Sequence, residues 1–390
     1  MESLDAFAHA KLASLEEQSL RRRLIETQRR AGSQTEQRSR TLVSFACNDY
    51  LGLSHHPEVV RAAAQAAELY GAGSGASRLI TGNHPFNREL ESLIAAWKET
   101  PRAMVFGSGY LANIGVIPAL VGPNDTVFVD EYAHACLFAG ARMSQARVFV
   151  FRHNDLEDLA RLLRSYRHTG ERCLALTDGV FSMDGDIAPL AKMAPLCEEY
   201  DAWLLVDDAH GLGVVGKGKG SVHVHPEPVA VPLQMGTFSK AAGGYGGYLC
   251  ASDAVISLLH SRARPFVYST ALPPPVLAAN IAGLRIIMNE AERCAQPLQN
   301  ARLFCATLGL PEPQTQIVPI VLGEPRAALE ASTAMKAEGF LVTAIRPPTV
   351  PQGTSRLRFA FCSTHQAKDV VRAAECIAPW LQRAHPHQPA

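Results

Sequence analysis

Asp207-Asp208-Ala209-His210 follows directly on the apolar run Trp203-Leu204-Leu205-Val206. Such a run reads as a strand, and open α/β sheets bind ligands at the carboxyl ends of their strands. A lone strand-end Asp would serve equally well to cap the next turn. Further on comes Gly236-Thr237-Phe238-Ser239-Lys240, then Gly243-Gly244-Tyr245-Gly246-Gly247. A lysine hemmed in by small and apolar residues is poorly solvated, so its ammonium loses ground to the nucleophilic amine. The glycines let backbone approach a ligand closely. Ser-Lys beside glycines is weak evidence alone, because most lysines are simply solvated. A strand-end Asp, a His three residues on and such a Lys together meet the needs of pyridoxal 5'-phosphate. That cofactor wants a Schiff-base lysine and an acid against its pyridinium nitrogen. Phe106-Gly107-Ser108-Gly109-Tyr110 joins a strand pattern to a helix pattern, and a helix N-terminus is an anion site suited to the cofactor phosphate. A tight strand-to-helix turn would also want those glycines. His134, in Tyr132-Ala133-His134 after another strand pattern, is placed either to hydrogen-bond structurally or to lay its ring on a flat cofactor.

The elements that must position these residues alternate. Apolar strand-like runs at 103–106, 126–129, 147–151, 173–177, 203–206 and 248–251 are separated by helical patterns at 87–99, 110–120, 155–166 and 190–199. Near-continuous apolar strands between helices argue an α/β fold: a mostly parallel central sheet with helices on both faces. Residues 273–308 read as a long helical connection. Strand, helix, strand, strand and helix follow, a smaller α+β C-terminal domain. The expected division is an N-terminal helix and strand segment, 1–50, a large domain, 51–285, and a small domain, 286–390. Within the first segment Leu12, Leu15, Leu20 and Leu24 recur at helical spacing over the first thirty residues. The Arg21-Arg22-Arg23 run inside it reads as a solvated helix face.

The glycine-rich stretch 71–78 follows a helical pattern and lacks the GK[ST] ending, so it is neither a P-loop nor a dinucleotide fingerprint; an active-site loop is the expectation. Lys+Arg and Asp+Glu are 37 each. That balance gives no footprint for nucleic acid or an anionic membrane. No apolar run is long enough to span a bilayer, and the N-terminus lacks the basic and apolar regions of a secretory signal. The nine cysteines are widely spaced without a CxxC pair, which predicts reduced thiols in a cytoplasmic protein, with no disulfide framework and no metal site.

Asn48-Asp49-Tyr50-Leu51-Gly52-Leu53, Gly179-Val180-Phe181-Ser182-Met183-Asp184-Gly185-Asp186, Asp207-Asp208-Ala209-His210-Gly211 and Thr237-Phe238-Ser239-Lys240 resemble the α-oxoamine synthases over essentially the whole chain. These are fold-type I pyridoxal-phosphate transferases that join an amino acid to an acyl thioester with loss of CO2. Ala344-Ile345-Arg346-Pro347-Pro348-Thr349-Val350-Pro351, with Gly353-Thr354-Ser355-Arg356-Leu357-Arg358, is most similar to the branch that uses L-alanine and a pimeloyl thioester in biotin synthesis. The resemblance implies that Lys240 forms the Schiff base, Asp207 pairs with the pyridinium nitrogen and His210 with the phenolic oxygen. It implies that His134 stacks on the ring, that Ser182 contacts the cofactor, and that Gly109, Tyr110 and Thr237 hold the phosphate. It places Arg358 on the amino-acid carboxylate, with Arg356 on the same strand face as the alternative. Arg21 and Thr349 fall to the acyl substrate side and Asn48 to the amino-acid pocket, and Arg346 is a further substrate-binding residue. It implies L-alanine and pimeloyl-CoA or pimeloyl-acyl carrier protein as substrates. It also implies a homodimer in which Ser269 and Thr270 reach the partner's phosphate. Glycine C-acetyltransferase or 5-aminolevulinate synthase chemistry is the alternative. Two departures stand out: Asp178, where many members carry Glu, and residues 221–231, which match no familiar pattern.

Overall fold

The computed structural model describes residues 2–384; Met1 and residues 385–390, the outer ends of the first and last expected segments, lie outside the described residues. The chain divides into two compact units, Asn48–Pro297 and, as the other, Met1–Cys47 with Leu298–Ala390.

In the first stretch the helix is Glu2–Glu17, and it does not continue through residue 30. Ser19 adopts φ 56°, in the left-handed region, and the N–H groups of Leu20 and Arg21 turn back onto the carbonyl of Leu15, a turn that ends a helix. Leu24 is fully exposed. Leu12 and Leu15 are exposed as well, so the leucine spacing marks no buried helix face, and the helix ends before the left-handed turn at Ser19. Short strands β1 (Gln28–Arg29), β2 (Gln34–Gln37) and β3 (Arg40–Ser44) follow.

The larger unit is built on seven strands: β4 (Arg102–Phe106), β5 (Thr126–Asp130), β6 (Arg147–Phe151), β7 (Cys173–Asp178), β8 (Trp203–Asp207), β9 (Leu233–Thr237) and β10 (Gly247–Ala251). Their order is β4-β10-β9-β8-β7-β5-β6. β5 to β9 pair in parallel, and β10 runs antiparallel to both its neighbours. Alternate residues bury opposite ways. Val127, Val129, Leu174, Leu176 and Leu205 join one apolar cluster, while Phe128, Ala175, Leu204 and Val206 join another. Burial on both faces is why these strands read as unbroken apolar runs. β9 was not evident in the sequence because Leu-Gln-Met-Gly-Thr is no such run. Its Gly236 is forced by packing: a Cβ there would sit 2.3 Å from the hydroxyl of Tyr248 on β10.

The helices Pro85–Trp97, Gly109–Leu120, Leu156–Tyr166 and Leu190–Glu199 stand where the patterns placed them. The expected long connection is two helices, Pro274–Asn289 and Ala291–Thr307, broken at Glu290 where ψ is 69°.

In the smaller unit β11 (Ile317–Gly323), β12 (Phe340–Leu341), β13 (Thr343–Ile345) and β14 (Ser355–Ala360) follow, with β14 central between β11 and β13. β12 pairs in parallel with β3, and Phe45 packs edge-on against Phe359 and Phe361. Phe45, with Val43 packed against it, thus joins a core otherwise built from the C-terminal part of the chain.

One buried ion pair fixes the end of β8. Lys98, the C-cap of Pro85–Trp97, puts its ammonium 3.0 Å from Asp208, and both side chains are fully buried. Lys98 also donates to the carbonyl of Lys219, and Asp208 accepts the N–H of Ser221 at 3.0 Å. Removing one member of such a pair strands a buried charge. Lys98→Met should cost about 3–5 kcal/mol of unfolding free energy, read from denaturant titration; a loss below about 1 kcal/mol would show that Asp208 needs no counter-ion.

Candidate active site

The carboxyl ends of β9, β8, β7 and β5 lie side by side and carry Thr237, Asp207, Asp178 and Asp130. Consecutive residues on a strand point opposite ways. Asp208 therefore turns to Lys98, while Asp207 lines a cavity together with His134, His210, Thr237 and Lys240. This settles which of the two adjacent acids faces the cavity.

Asp207 is 4% exposed, and each of its carboxyl oxygens accepts a hydrogen bond. Asn113 Nδ2 lies 2.7 Å from its Oδ2, and the N–H of Ala209 lies 3.0 Å from its Oδ1. Asn113 is a single buried amide on the otherwise apolar helix Gly109–Leu120. Sequence reasoning passed over it, although a lone Asn four residues after Gly109 was its signal. Beside Asp207, Asp178 is its register partner on β7 and also lines the cavity. Burial, and then the neighbouring Asp207 charge, hold the Asp178 carboxyl well above the usual carboxylate range. One of two adjacent buried acids keeping its proton is the expected outcome.

His134 caps the helix Ala135–Met143, its Nδ1 accepting the N–H of Cys136 at 3.3 Å. With Nδ1 an acceptor, the neutral ring carries its proton on Nε2. Burial, reinforced by Lys240 and opposed by Asp207, lowers the His134 pKa below the ordinary histidine value. The ring is thus uncharged at neutral pH, and its backbone N–H is fixed by Asp178 Oδ1 at 3.1 Å. Cys136 Sγ sits 2.8 Å from His134 Nδ1 and 3.1 Å from Asn113 Nδ2. Burial, and then Asp207, push its thiol up, so it stays protonated.

His210 Nδ1 is 2.6 Å from the hydroxyl of the fully buried Tyr50, which lies 3.1 Å from Asn48 Oδ1. Asn48 is not among the residues lining the cavity; its Oδ1 accepts from the Tyr50 hydroxyl. Ser182 is buried in the loop beyond β7 and does not line the cavity either.

At the other end of the cavity, Ser108 caps the helix that begins at Gly109, accepting the N–H of Leu111 at 3.1 Å. The N–H groups of that first turn present a positive end to an anion. β10 passes close by: a Cβ on Gly247 would fall 2.6 Å from the nitrogen of Gly109, so glycine is required there. Thr237 Oγ1 lies 2.7 Å from Ser239 Oγ and adds a hydroxyl pair. A helix N-terminus with hydroxyls for a phosphate, a fixed carboxylate for a ring nitrogen, a neutral imidazole and a lysine all open on one cavity. That donor set fits pyridoxal 5'-phosphate.

Arg21, Arg346, Thr349 and Arg358 belong to the smaller unit. There Arg21 pairs with Glu16 at 3.1 Å, and it is Arg22 that reaches the Thr349 hydroxyl at 3.0 Å. Arg346 donates to the carbonyl of Ser19. Arg356 and Arg358 are both buried on β14, two residues apart. Residues 71–78 do not line the cavity; Ser74 bonds the carbonyl of Leu272 at 2.6 Å and Arg78 is paired with Glu91. Among the described residues no cluster of His, Cys, Asp or Glu could hold a metal ion, and no helix is long and apolar enough to cross a membrane.

The model of the class I and II aminotransferase family matches residues 40–377. The chain is 60% identical to the 8-amino-7-oxononanoate synthase of Methylocella silvestris over 87% of this chain and 96% of that protein. It is 54% identical to the enzyme of the same name from Beijerinckia indica over 98% and 99%. The chain belongs to the 8-amino-7-oxononanoate synthases of the class I and II aminotransferase family. Its fold matches serine palmitoyltransferase from S. paucimobilis, solved with bound pyridoxal phosphate–myriocin, at a TM-score of 0.90 and 27% identity over 98% of both chains. It is a fold-type I pyridoxal-phosphate enzyme that transfers a C-acyl group, as the α-oxoamine synthase motifs implied.

Asp207→Asn should keep the cofactor's visible absorbance but lower turnover about 100-fold or more, since a neutral amide cannot stabilise a protonated ring nitrogen. Near-normal turnover by the variant would contradict the placement of Asp207.

Proposed function

We infer that the chain condenses L-alanine with a pimeloyl thioester, carried on CoA or acyl carrier protein, to give 8-amino-7-oxononanoate and CO2. The observation that carries the reading is the convergence of Lys240, Asp207 and His134 on one cavity in a chain that is 54–60% identical to named synthases. Pyridoxal phosphate, when bound, supplies the electron sink that lets the alanine Cα lose its proton and later its carboxylate.

The chain's residues do the rest. Lys240 Nζ would hold the cofactor at rest and would remove and return the alanine Cα proton. Asp207, bonded by Asn113 and Ala209, would face the ring nitrogen and favour its protonated form. The uncharged His134 would offer a flat face to pack on the ring. His210, tied to Tyr50, steadies the phenolic oxygen. The N–H groups of Gly109 and Tyr110, with the Thr237 hydroxyl, hold the phosphate, and Ser182 supports the cofactor from its loop. Arg358 clamps the alanine carboxylate, because a planar fork suits bidentate recognition. Arg21 and Thr349 serve the acyl chain, Arg346 is a further substrate-binding residue, and Asn48 serves the amino-acid pocket. The enzyme acts as a cytoplasmic homodimer with Ser269 and Thr270 reaching the partner's phosphate site.

The testing experiment is an assay of the purified protein with L-alanine, glycine and L-serine against pimeloyl, acetyl, succinyl and palmitoyl thioesters. Turnover should be highest by far with alanine and pimeloyl thioester. Preference for glycine with acetyl- or succinyl-CoA would replace this reading with the sister activities.

Lys240→Ala should abolish turnover while the protein stays folded and binds cofactor without covalent attachment; near-normal turnover would refute the assignment. Arg358→Ala should raise the alanine concentration needed for half-saturation strongly, with the cofactor spectrum unchanged, and Arg358→Lys should recover only part of the loss. Spectral titration with alanine decides: unchanged affinity in Arg358→Ala beside a large loss in Arg356→Ala moves the role to Arg356.

A further inference from the structure

His153, in the turn after β6, lies outside the cavity, yet it joins the two loops that carry His134 and Ser182. Its Nδ1 is 3.0 Å from Asp130 Oδ1 and its Nε2 is 2.8 Å from Asp186 Oδ2.

Asp130 ends β5 and is fully buried. The same carboxylate accepts the N–H of Tyr132 at 2.8 Å and of Asn154 at 2.9 Å, and the Asp130 carbonyl accepts the N–H of Ala133 at 3.0 Å. It therefore sets the turn that delivers His134 to the cavity. Asp186 closes the other loop: its carbonyl accepts the N–H of Phe181 at 3.0 Å, and the carbonyl of Phe181 accepts that of Gly185 at 2.9 Å. Ser182 sits inside this closed loop, and Asn154 Nδ2 adds a second bond to the Asp186 carboxylate at 2.7 Å. The His153 ring is packed between the two loops. Tyr132 stacks on it at 4.6 Å, and Phe181 meets it edge-on at 4.4 Å.

Asn154 Nδ2 also lies 3.3 Å from Nε2, farther than the Asp186 oxygen at 2.8 Å. A carboxylate can only accept hydrogen bonds, so a ring that donates to one from each nitrogen carries both protons. Burial alone would lower the pKa of His153, but the bonds to Asp130 and Asp186 outweigh it and raise it to about 10. The charged groups facing the ring are the acids Asp130 from β5 and Asp186 from the 180–187 loop; Tyr132 is the titratable ring stacked on it, and Glu131 accepts the His153 N–H at 2.8 Å.

We propose that His153, as an imidazolium bridging Asp130 and Asp186, is a positioning residue that locks the His134 turn and the Ser182 loop into the cofactor-binding arrangement. The inference rests on the reading of the cavity as the pyridoxal-phosphate site. Nothing in it needs His153 to touch the cofactor or the substrates. Its effect reaches the ligand through Asp130 on one side and Asp186 on the other.

The test measures the affinity of cofactor-free protein for pyridoxal phosphate by absorbance, across pH 7 to 9.5, for wild type, His153→Phe and Asp186→Asn. His153→Phe keeps an aromatic ring for Tyr132 but breaks both bonds, and its affinity should fall about tenfold or more at every pH, as losing an outer-layer partner does elsewhere. Asp186→Asn leaves only Asp130 to hold the proton, so its affinity should match wild type near pH 7 and weaken by pH 9, where wild type is still unchanged. A bracing role confined to global stability would lower the melting temperature without this pH-dependent shift. Should His153→Phe fail to fold, the pH profile of Asp186→Asn decides alone. Wild-type affinity and a flat profile in Asp186→Asn, or wild-type affinity in a folded His153→Phe, would overturn the proposal. Failure of the wild-type protein to bind pyridoxal phosphate would instead sink the reading of the cavity itself.

Discussion

The buried carboxyl of Asp207, and the donors it needs, are the constraint around which the larger unit is arranged. An isolated buried carboxylate takes up a proton rather than remain charged. Here the amide of Asn113 and the N–H of Ala209 supply two donors. The neighbouring acids are handled differently. Asp208 points the other way and pairs with Lys98, while burial, and then the Asp207 charge, raise the Asp178 carboxyl well above the usual carboxylate range. Three carboxyls at the ends of two adjacent strands thus have three different surroundings, and Asp207 faces the cavity with a donor on each oxygen. A hydrogen-bonded carboxylate facing a ring nitrogen is what converts the cofactor into an electron acceptor.

The parallel sheet makes this possible, since β5, β7, β8 and β9 all end on the same side. The antiparallel β10 adds the close approach of Gly247 to the N-terminus of the helix at Gly109, so the anion end and the acid end of the cavity belong to one rigid sheet. Loops contribute His134 and Ser182. They would be the looser part of the site were they not tied back through Asp130, His153 and Asp186.

Much of this was legible in the sequence, because strands buried on both faces must be apolar throughout and so announce themselves. Asp207, His210 and His134 stood out as polar residues just after such runs, and Lys240 as a lysine among small and apolar neighbours. What stayed hidden depended on packing. β9 contains Gln234 and Gly236, the latter forced by the Tyr248 hydroxyl, and so it lacks the strand signature. Asn113 was masked by its apolar helix. The leucines of the first thirty residues imitated a helix face although Leu24 covers nothing. The roles of Lys98 and His153 arise from charges brought together over long sequence separations, and no local pattern encodes that. The substrate-side arginines were found by resemblance. Their spacing on β14 shows only that Arg356 and Arg358 share a face, which is why alternation could not choose between them.

The account stands or falls on Lys240 being the lysine that holds the cofactor. The direct measurement is reduction of the pyridoxal-phosphate-loaded protein with borohydride, followed by proteolysis and mass spectrometry of the lysine peptides. The account predicts a phosphopyridoxyl group on Lys240, with Lys98 unmodified in its buried pair with Asp208. Attachment at any other lysine, or no attachment in protein that is saturated with pyridoxal phosphate, would contradict it.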